Sequence, residues 1–209
     1  MIKLSSHMFG YFFQANSYIG VNEKGEAFAV DIGGEAERFL KYLEENDLKL
    51  KMILLTHGHF DHIRGVAEVA EKTGAKVYIH SEDASMLTDP EASLARFVGG
   101  TEFKAWNDFT EVKDGDVIDF DGTAIKVIHT PGHTKGSVCY VYDDVILSGD
   151  TLFRGSVGRT DFPGGSHSEI LKSLDKLAAL ADNGDYKVYP GHNEETTLSD
   201  EMKYNPYFG

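Results

Sequence analysis

Short apolar runs alternate with amphipathic stretches along the whole chain. Residues 16–21 and 27–30 predict two strands around a turn at 22–26. Residues 35–46 carry Phe39, Leu40 and Leu43 at helical spacing and predict a helix. Residues 51–55 predict a short buried strand. Residues 66–72 continue as a helix that closes near Gly74. Residues 76–79 predict another strand, followed by a helical patch over 83–87. In the second half, 117–120 and 123–128 flank Asp121-Gly122, a hairpin signal because both residues tolerate the positive φ of a tight turn. Residues 137–142 and 145–147 predict a further hairpin around Asp143-Asp144. Residues 169–181 predict a helix with Ile170, Leu171, Leu174, Leu177 and Ala178 on one side, and 186–189 a last short strand. The stretch 89–113 is expected to form a helix plus a loop near a site. Hairpins mixed with helices point to an α/β (α+β) class, with sheets covered by helices rather than one purely parallel sheet.

Composition narrows the partners. A chain of 209 residues suits one domain or two small intimate halves. No low-complexity tract, charge block or repeat divides it, so a single domain over 1–209 is expected. The formal net charge of −14 argues against nucleic acid, whose phosphates need clustered Lys and Arg. It still allows a local positive site built by bound divalent metals. The single cysteine, Cys139, excludes an intramolecular disulfide, and its place in an alternating strand makes it a small core residue rather than a nucleophile. The first residues lack the apolar core of a signal peptide, and no apolar run is long enough to cross a bilayer. A cytoplasmic protein without a membrane partner is therefore the expectation.

The chemistry concentrates in Thr56-His57-Gly58-His59-Phe60-Asp61-His62. It directly follows the strand at 51–55. His57 and His59 are two apart, so they share a side in an extended segment and would nearly oppose each other on a helix. The helical zinc motif H-E-x-x-H is therefore not the pattern here. The expectation is a loop at a strand end, with Asp61 and His62 aimed at a neighbouring position. His133 follows a strand through Thr130-Pro131-Gly132, Asp150 through Ser148-Gly149, and His192 through Pro190-Gly191. Loops at strand ends are where distant segments assemble sites. Imidazole and carboxylate donors without thiolate suit zinc, manganese or iron. Seven donors exceed what one tetrahedral zinc needs, and two metals sharing a bridging carboxylate would account for the surplus. His7, His80, His129 and His167 read as surface or core residues.

At these residues the chain resembles the metallo-β-lactamase superfamily. The resemblance runs from about the strand at 14–19 to Asn205-Pro206. It is carried by His57-x-His59-x-Asp61-His62, Thr130-Pro131-Gly132-His133-Thr134, Gly149-Asp150-Thr151-Leu152-Phe153 and Pro190-Gly191-His192. Within the superfamily it looks like the compact glyoxalase II-type hydrolases (hydroxyacylglutathione hydrolases). The resemblance implies a four-layer αβ/βα sandwich. It implies one metal on His57, His59 and His133, a second on Asp61, His62 and His192, and Asp150 bridging them. Zinc is the expected metal, with iron or manganese compatible. A carboxylate at 150, where many true β-lactamases carry a thiolate, argues against antibiotic hydrolysis. His59 stands where the diiron flavoproteins of the superfamily carry Glu. Seventeen residues follow His192, too few for the helical C-terminal domain of full-length glyoxalase II, so glutathione specificity is not implied.

The expected activity is cleavage of a small-molecule thioester by a hydroxide between the two metals, with Asp61 as a ligand and catalytic orienter of that nucleophile. Metal coordination can bring the pKa of water to about 7. Arg159 is the candidate for a substrate carboxylate, which Arg meets bidentately. Thr56, Asp31 and Thr130 lie near strand ends and are candidates to orient the ligands. The alternative is an iron-dependent persulfide dioxygenase, because Gly158-Arg159-Thr160-Asp161-Phe162 resembles that group. A ribonuclease is disfavoured by the charge and by the lack of a long basic insertion.

Overall fold

Parallel pairing brings strand ends together, and the chain uses it twice in its first sheet and once in its second. A computed structural model describes residues 1–10, 15–97 and 103–209. Contacts divide the chain into two compact units, Met1–Ile79 with Ala84–Glu111, and His80–Asp83 with Val112–Gly209. The first sheet runs in sequence order through β1 (Lys3–His7), β2 (Ser17–Val21), β3 (Glu26–Val30), β4 (Lys49–Leu54), β5 (Lys76–His80) and β6 (Phe109–Val112). Strands β1 to β3 are antiparallel, whereas β3, β4 and β5 are parallel. Parallel neighbours need a crossover. Helix α1 (Ala36–Glu45) supplies the first, and the short helix α2 (Phe60–Ile63) with α3 (Val66–Thr73) the second.

Helix α1 buries Ala36, Phe39 and Leu43 at helical spacing, as the sequence pattern predicts. Its partners include Val66, Val69 and Ala70 of α3 and Ile53 of β4. Gly74 ends α3 in the left-handed region at φ 69°, where a side chain would be strained.

The second sheet takes the order β12-β11-β10-β9-β8-β7. Its strands are β7 (Val117–Phe120), β8 (Thr123–His129), β9 (Val138–Tyr142), β10 (Val145–Gly149), β11 (Lys187–Pro190) and β12 (Thr196–Thr197). The hairpin between β7 and β8 turns at Asp121 and Gly122, with φ of 49° and 86°, so both turn residues hold the positive φ that their sequence signals. Strands β10 and β11 are parallel, and every other neighbouring pair in this sheet is antiparallel. Helix α4 (His167–Ala178) fills the crossover. It opens on Ser166, whose side chain accepts from the Glu169 amide, the Ser-x-x-Glu start of a capping box. Leu174 and Leu177 of α4 and Leu198 of α5 (Leu198–Tyr204) pack on Cys139, Val141, Ile146 and Val188.

The mixed α/β class expected from the pattern is the one observed, with two sheets and helices. Other readings need correction. The helix placed in 89–113 is absent among the described residues of that stretch, which hold turns and β6. Pro90 and Asp89, whose carboxylate accepts the Glu91 amide, favour a turn there. Residues 98–102 of it lie outside the described residues, as does Gln14 at the start of the resembling stretch. Asp61 and His62 sit on the one-turn helix α2 rather than in a loop. Among the described residues no helix is long and apolar enough to cross a membrane.

Candidate metal centre

In the first unit, register decides what surrounds the histidine cluster. Val30 of β3 pairs with Leu54 of β4, so the two strands finish at one edge. Asp31 leaves β3 at φ 55°, and its amide donates to the Leu54 carbonyl at 3.1 Å. Its carboxylate then meets the segment that follows β4. The Thr56 amide donates to Oδ1 at 2.9 Å and the Thr56 hydroxyl to Oδ2 at 2.7 Å. His62 Nδ1 lies 2.7 Å from the same Oδ2. A carboxylate only accepts, so His62 carries its proton on Nδ1. Thr56 Oγ1 spends its proton on Asp31 and therefore accepts from His57 Nδ1, 3.2 Å away. In the neutral rings, Nε2 of His57 and His62 is then the lone-pair nitrogen.

The rings are gathered closely. The His57 centroid is 4.8 Å from that of His59 and 4.0 Å from that of His62. Asp61 Oδ2 lies 4.0 Å from His62 Nε2. His57, His59 and His62 are buried and Asp61 is partly exposed. The spacer Gly58 is required by close approach, since a Cβ there would meet Met86 at 2.5 Å. Asp31 and Thr56, two candidates to orient ligands, both bond candidate donors: Asp31 meets His62 and Thr56 meets His57. The Thr130 hydroxyl instead pairs with Thr151 Oγ1 at 2.8 Å.

In the second unit the donors come from three separate strand ends. Gly149 of β10 pairs with Pro190 of β11 across a register shift, and the Gly191 amide donates to the Gly149 carbonyl at 2.8 Å. Asp150 and His192 therefore emerge side by side. His133 lies on the 130–137 loop between β8 and β9, and its Nδ1 donates to the Arg159 carbonyl at 2.8 Å. Asp150 Oδ2 stands 3.5 Å from His133 Nε2 and 3.6 Å from His192 Nε2. These gaps exceed an ordinary N–H···O bond. They match the edge of a ligand shell, because two donors about 2.1 Å from one tetrahedral ion lie about 3.4 Å apart.

The donor sets thus fit divalent ions on three counts. They are nitrogen and oxygen donors without thiolate, the Nδ1 atoms of His57, His62 and His133 are fixed by oxygen acceptors, and one carboxylate oxygen lies at ligand-edge distance from two imidazoles.

A family model of the metallo-β-lactamase superfamily matches residues 10–192. The chain belongs to that superfamily. A hydroxyacylglutathione hydrolase of Haemophilus influenzae, GloC, is 33% identical over 198 residues, covering 93% of each chain. An uncharacterised protein of Mycobacterium leprae is 40% identical over 205 residues, again 93% of each. Among solved structures, the BLEG-1 B3 metallo-β-lactamase superposes with a TM-score of 0.91 at 34% identity, over 99% of each chain. TTHA1623 in a di-iron-bound form gives 0.83 at 33% identity, over 96% of this chain and 98% of that one. The fold together with the His and Asp clusters implies bound divalent metal ions.

The Arg159 guanidinium grips Asp161 through two bonds of 2.7 Å and lies 3.8 Å from the Phe162 ring centroid. That hydrogen-bonded grip holds the Asp161 carboxyl down at about 2. The Arg159 contribution that sequence reasoning missed is its backbone carbonyl on His133, which no side-chain motif could signal. Burial pushes the Cys139 thiol up to about 11, in keeping with a core residue. His80 stacks on His129 at 4.1 Å.

Proposed function

We propose that the protein is a metal-dependent thioester hydrolase of the glyoxalase II type. In this reading His57, His59 and His133 hold one divalent ion, Asp61, His62 and His192 hold a second, and Asp150 is shared. The observation that carries it is the position of one Asp150 oxygen between two imidazole nitrogens at 3.5 and 3.6 Å, the arrangement a bridging carboxylate requires. The family match spans all of these residues, and likeness to GloC supports the thioester. Bound divalent ions supply an activated water and a Lewis acid for a carbonyl.

The chain's own residues do the positioning. Asp31 and Thr56 hold His57 and His62 in one tautomer. The Arg159 carbonyl does the same for His133. Asp61, partly exposed beside His62, would orient the attacking water by accepting a hydrogen bond from it, and would serve as its general base if only the first ion were bound. Arg159 offers a guanidinium to a substrate carboxylate, in exchange for Asp161. Zinc is the metal proposed and a small-molecule thioester the substrate, in a cytoplasmic protein acting as a single functional domain without nucleic-acid partners.

A second reading, an iron-dependent persulfide dioxygenase, is supported by the segment from Gly158 to Phe162, and the di-iron-bound form of TTHA1623 shows that a similar protein holds iron. Metal analysis of protein purified without added metal, with thioester, persulfide and β-lactam substrates assayed side by side, separates the readings. Thiol release from a thioester is expected. Oxygen consumption with a thiol persulfide would favour the second reading, and preferential opening of a β-lactam would sink both. Asp61→Ala or His59→Ala is expected to lower thioester turnover by about 10²–10⁴-fold with the far-UV circular dichroism unchanged. Retained turnover at full metal content would refute the assigned ligands.

A further inference from the structure

Asp83 is a fully buried carboxylate, placed just after β5 and grouped by its contacts with the second unit. A carboxylate out of water is costly unless donors surround it. Two of those donors come from the 130–137 loop. The Thr134 hydroxyl donates to Asp83 Oδ2 at 2.7 Å, and the Gly136 amide to Oδ1 at 2.8 Å. The directions of the neighbouring bonds follow. Thr134 Oγ1 gives its proton to Asp83, so it accepts from Ser137 Oγ at 2.7 Å. Ser137 Oγ in turn accepts the Thr134 amide at 3.1 Å. The approach is so close that a Cβ at Gly136 would lie 2.6–2.7 Å from Asp83 atoms.

The same loop is held elsewhere by helix α4. Ser173 donates to the Pro131 carbonyl at 2.7 Å, and the Ser166 amide to the Gly132 carbonyl at 2.8 Å. A Cβ at Gly132 would strike Ile170 at 2.4 Å. Residues 131 and 132 are thus anchored by α4 and its N-cap, and residues 134 and 136 by Asp83. His133 sits between the two anchors.

We propose that Asp83 is a positioning residue for His133, setting the direction of its imidazole by fixing the backbone on the C-terminal side of it. The proposal rests on His133 being a metal ligand, as argued under Proposed function. An Asn at 83 is isosteric but must turn its amide group toward either the Thr134 hydroxyl or the Gly136 N–H. Toward Gly136 this sets donor against donor, and toward Thr134 it does so unless the chain of hydroxyl protons reverses. The change therefore alters the loop without opening a cavity.

The test is zinc titration of metal-stripped protein against a competing chelator, with His133→Ala defining which binding step depends on His133. Asp83→Asn and Thr134→Val are each expected to weaken that step by about 10–100-fold, while Thr134→Ser retains it. In the metal-free protein, the His133 Nδ1–H proton bonded to the Arg159 carbonyl is expected to exchange with solvent at least several-fold faster in Asp83→Asn and Thr134→Val. Wild-type zinc affinity together with wild-type exchange in both variants would overturn the proposal. Zinc binding that His133→Ala leaves untouched would instead overturn the metal assignment, and the proton exchange would then decide the role of Asp83 alone. Should Asp83→Asn fail to fold, Thr134→Val carries both measurements.

Discussion

The two halves of the chain present similar donors by different means. In the first unit, His57, His59, Asp61 and His62 come from one continuous segment, and a single buried carboxylate, Asp31, ties the segment down through Thr56 and His62. In the second, His133, Asp150 and His192 come from three segments. There the groups that meet the candidate donors and their strand ends directly are backbone ones: the Arg159 carbonyl takes His133 Nδ1, and the Gly191 amide bonds the Gly149 carbonyl. A local cluster needs one side chain to orient it. A dispersed set needs strand register and close backbone contacts.

This contrast can be broken from either side. The largest effect is expected on the side-chain-held half. Asp31→Ala removes the acceptor of the Thr56 amide, the Thr56 hydroxyl and His62 Nδ1, and zinc affinity should fall by about 10–100-fold as read by chelator competition. An unchanged affinity would mean that packing alone orients His57 and His62. In the backbone-held half, Gly158→Ala tests the close approach. The added Cβ would lie 1.9 Å from the Asp150 carbonyl oxygen and 3.1 Å from His133 Nδ1. Overpacking of this kind costs about 1–3 kcal/mol, to be seen in urea unfolding. A mutant of wild-type stability would show that the loop yields freely.

A smaller effect is expected at the helix that anchors the His133 loop. Ser166→Ala removes the N-cap of α4 and should cost about 1 kcal/mol, measured in the same unfolding experiment. A value near zero would assign the helix start to packing of Ile170 instead. The smallest effect concerns pH. Burial, and then neighbouring His129, hold the His80 imidazole below its ordinary value of 6.5. The unfolded chain therefore takes up the proton first as pH falls, so this group contributes a loss of stability on acidification through 6.5 and none above it. His80→Phe should flatten that part of the stability-against-pH curve while leaving thioester turnover near wild type. An unaltered slope would remove His80 from the account of acid stability.

Much of this was legible without coordinates because its causes are local. Phe39 and Leu43 mark the buried face of α1 by spacing alone. Asp121-Gly122 marks a hairpin because few residues accept positive φ. The density of donors from His57 to His62 marks a metal site because a lone histidine has many structural uses and a cluster has few. What escaped sequence reading were edge elements with weak patterns: β1, β6, β12 and α5. The stretch around Asp89 also escaped, where turn chemistry overrode a helical reading.

The sequence by itself determined the donors and the ends of strands they follow, since both are properties of short segments. Only the tertiary structure decided which partners fix them. Asp31 reaches Thr56 and His62 because β3 and β4 are parallel and in register, bringing residues 25 and 31 positions apart within hydrogen-bond distance. Asp83 reaches Thr134 across 51 positions, and His133 finds a backbone carbonyl 26 positions away. No local pattern encodes such pairings, because a carboxylate or a carbonyl looks the same in the sequence whether it faces water or a histidine.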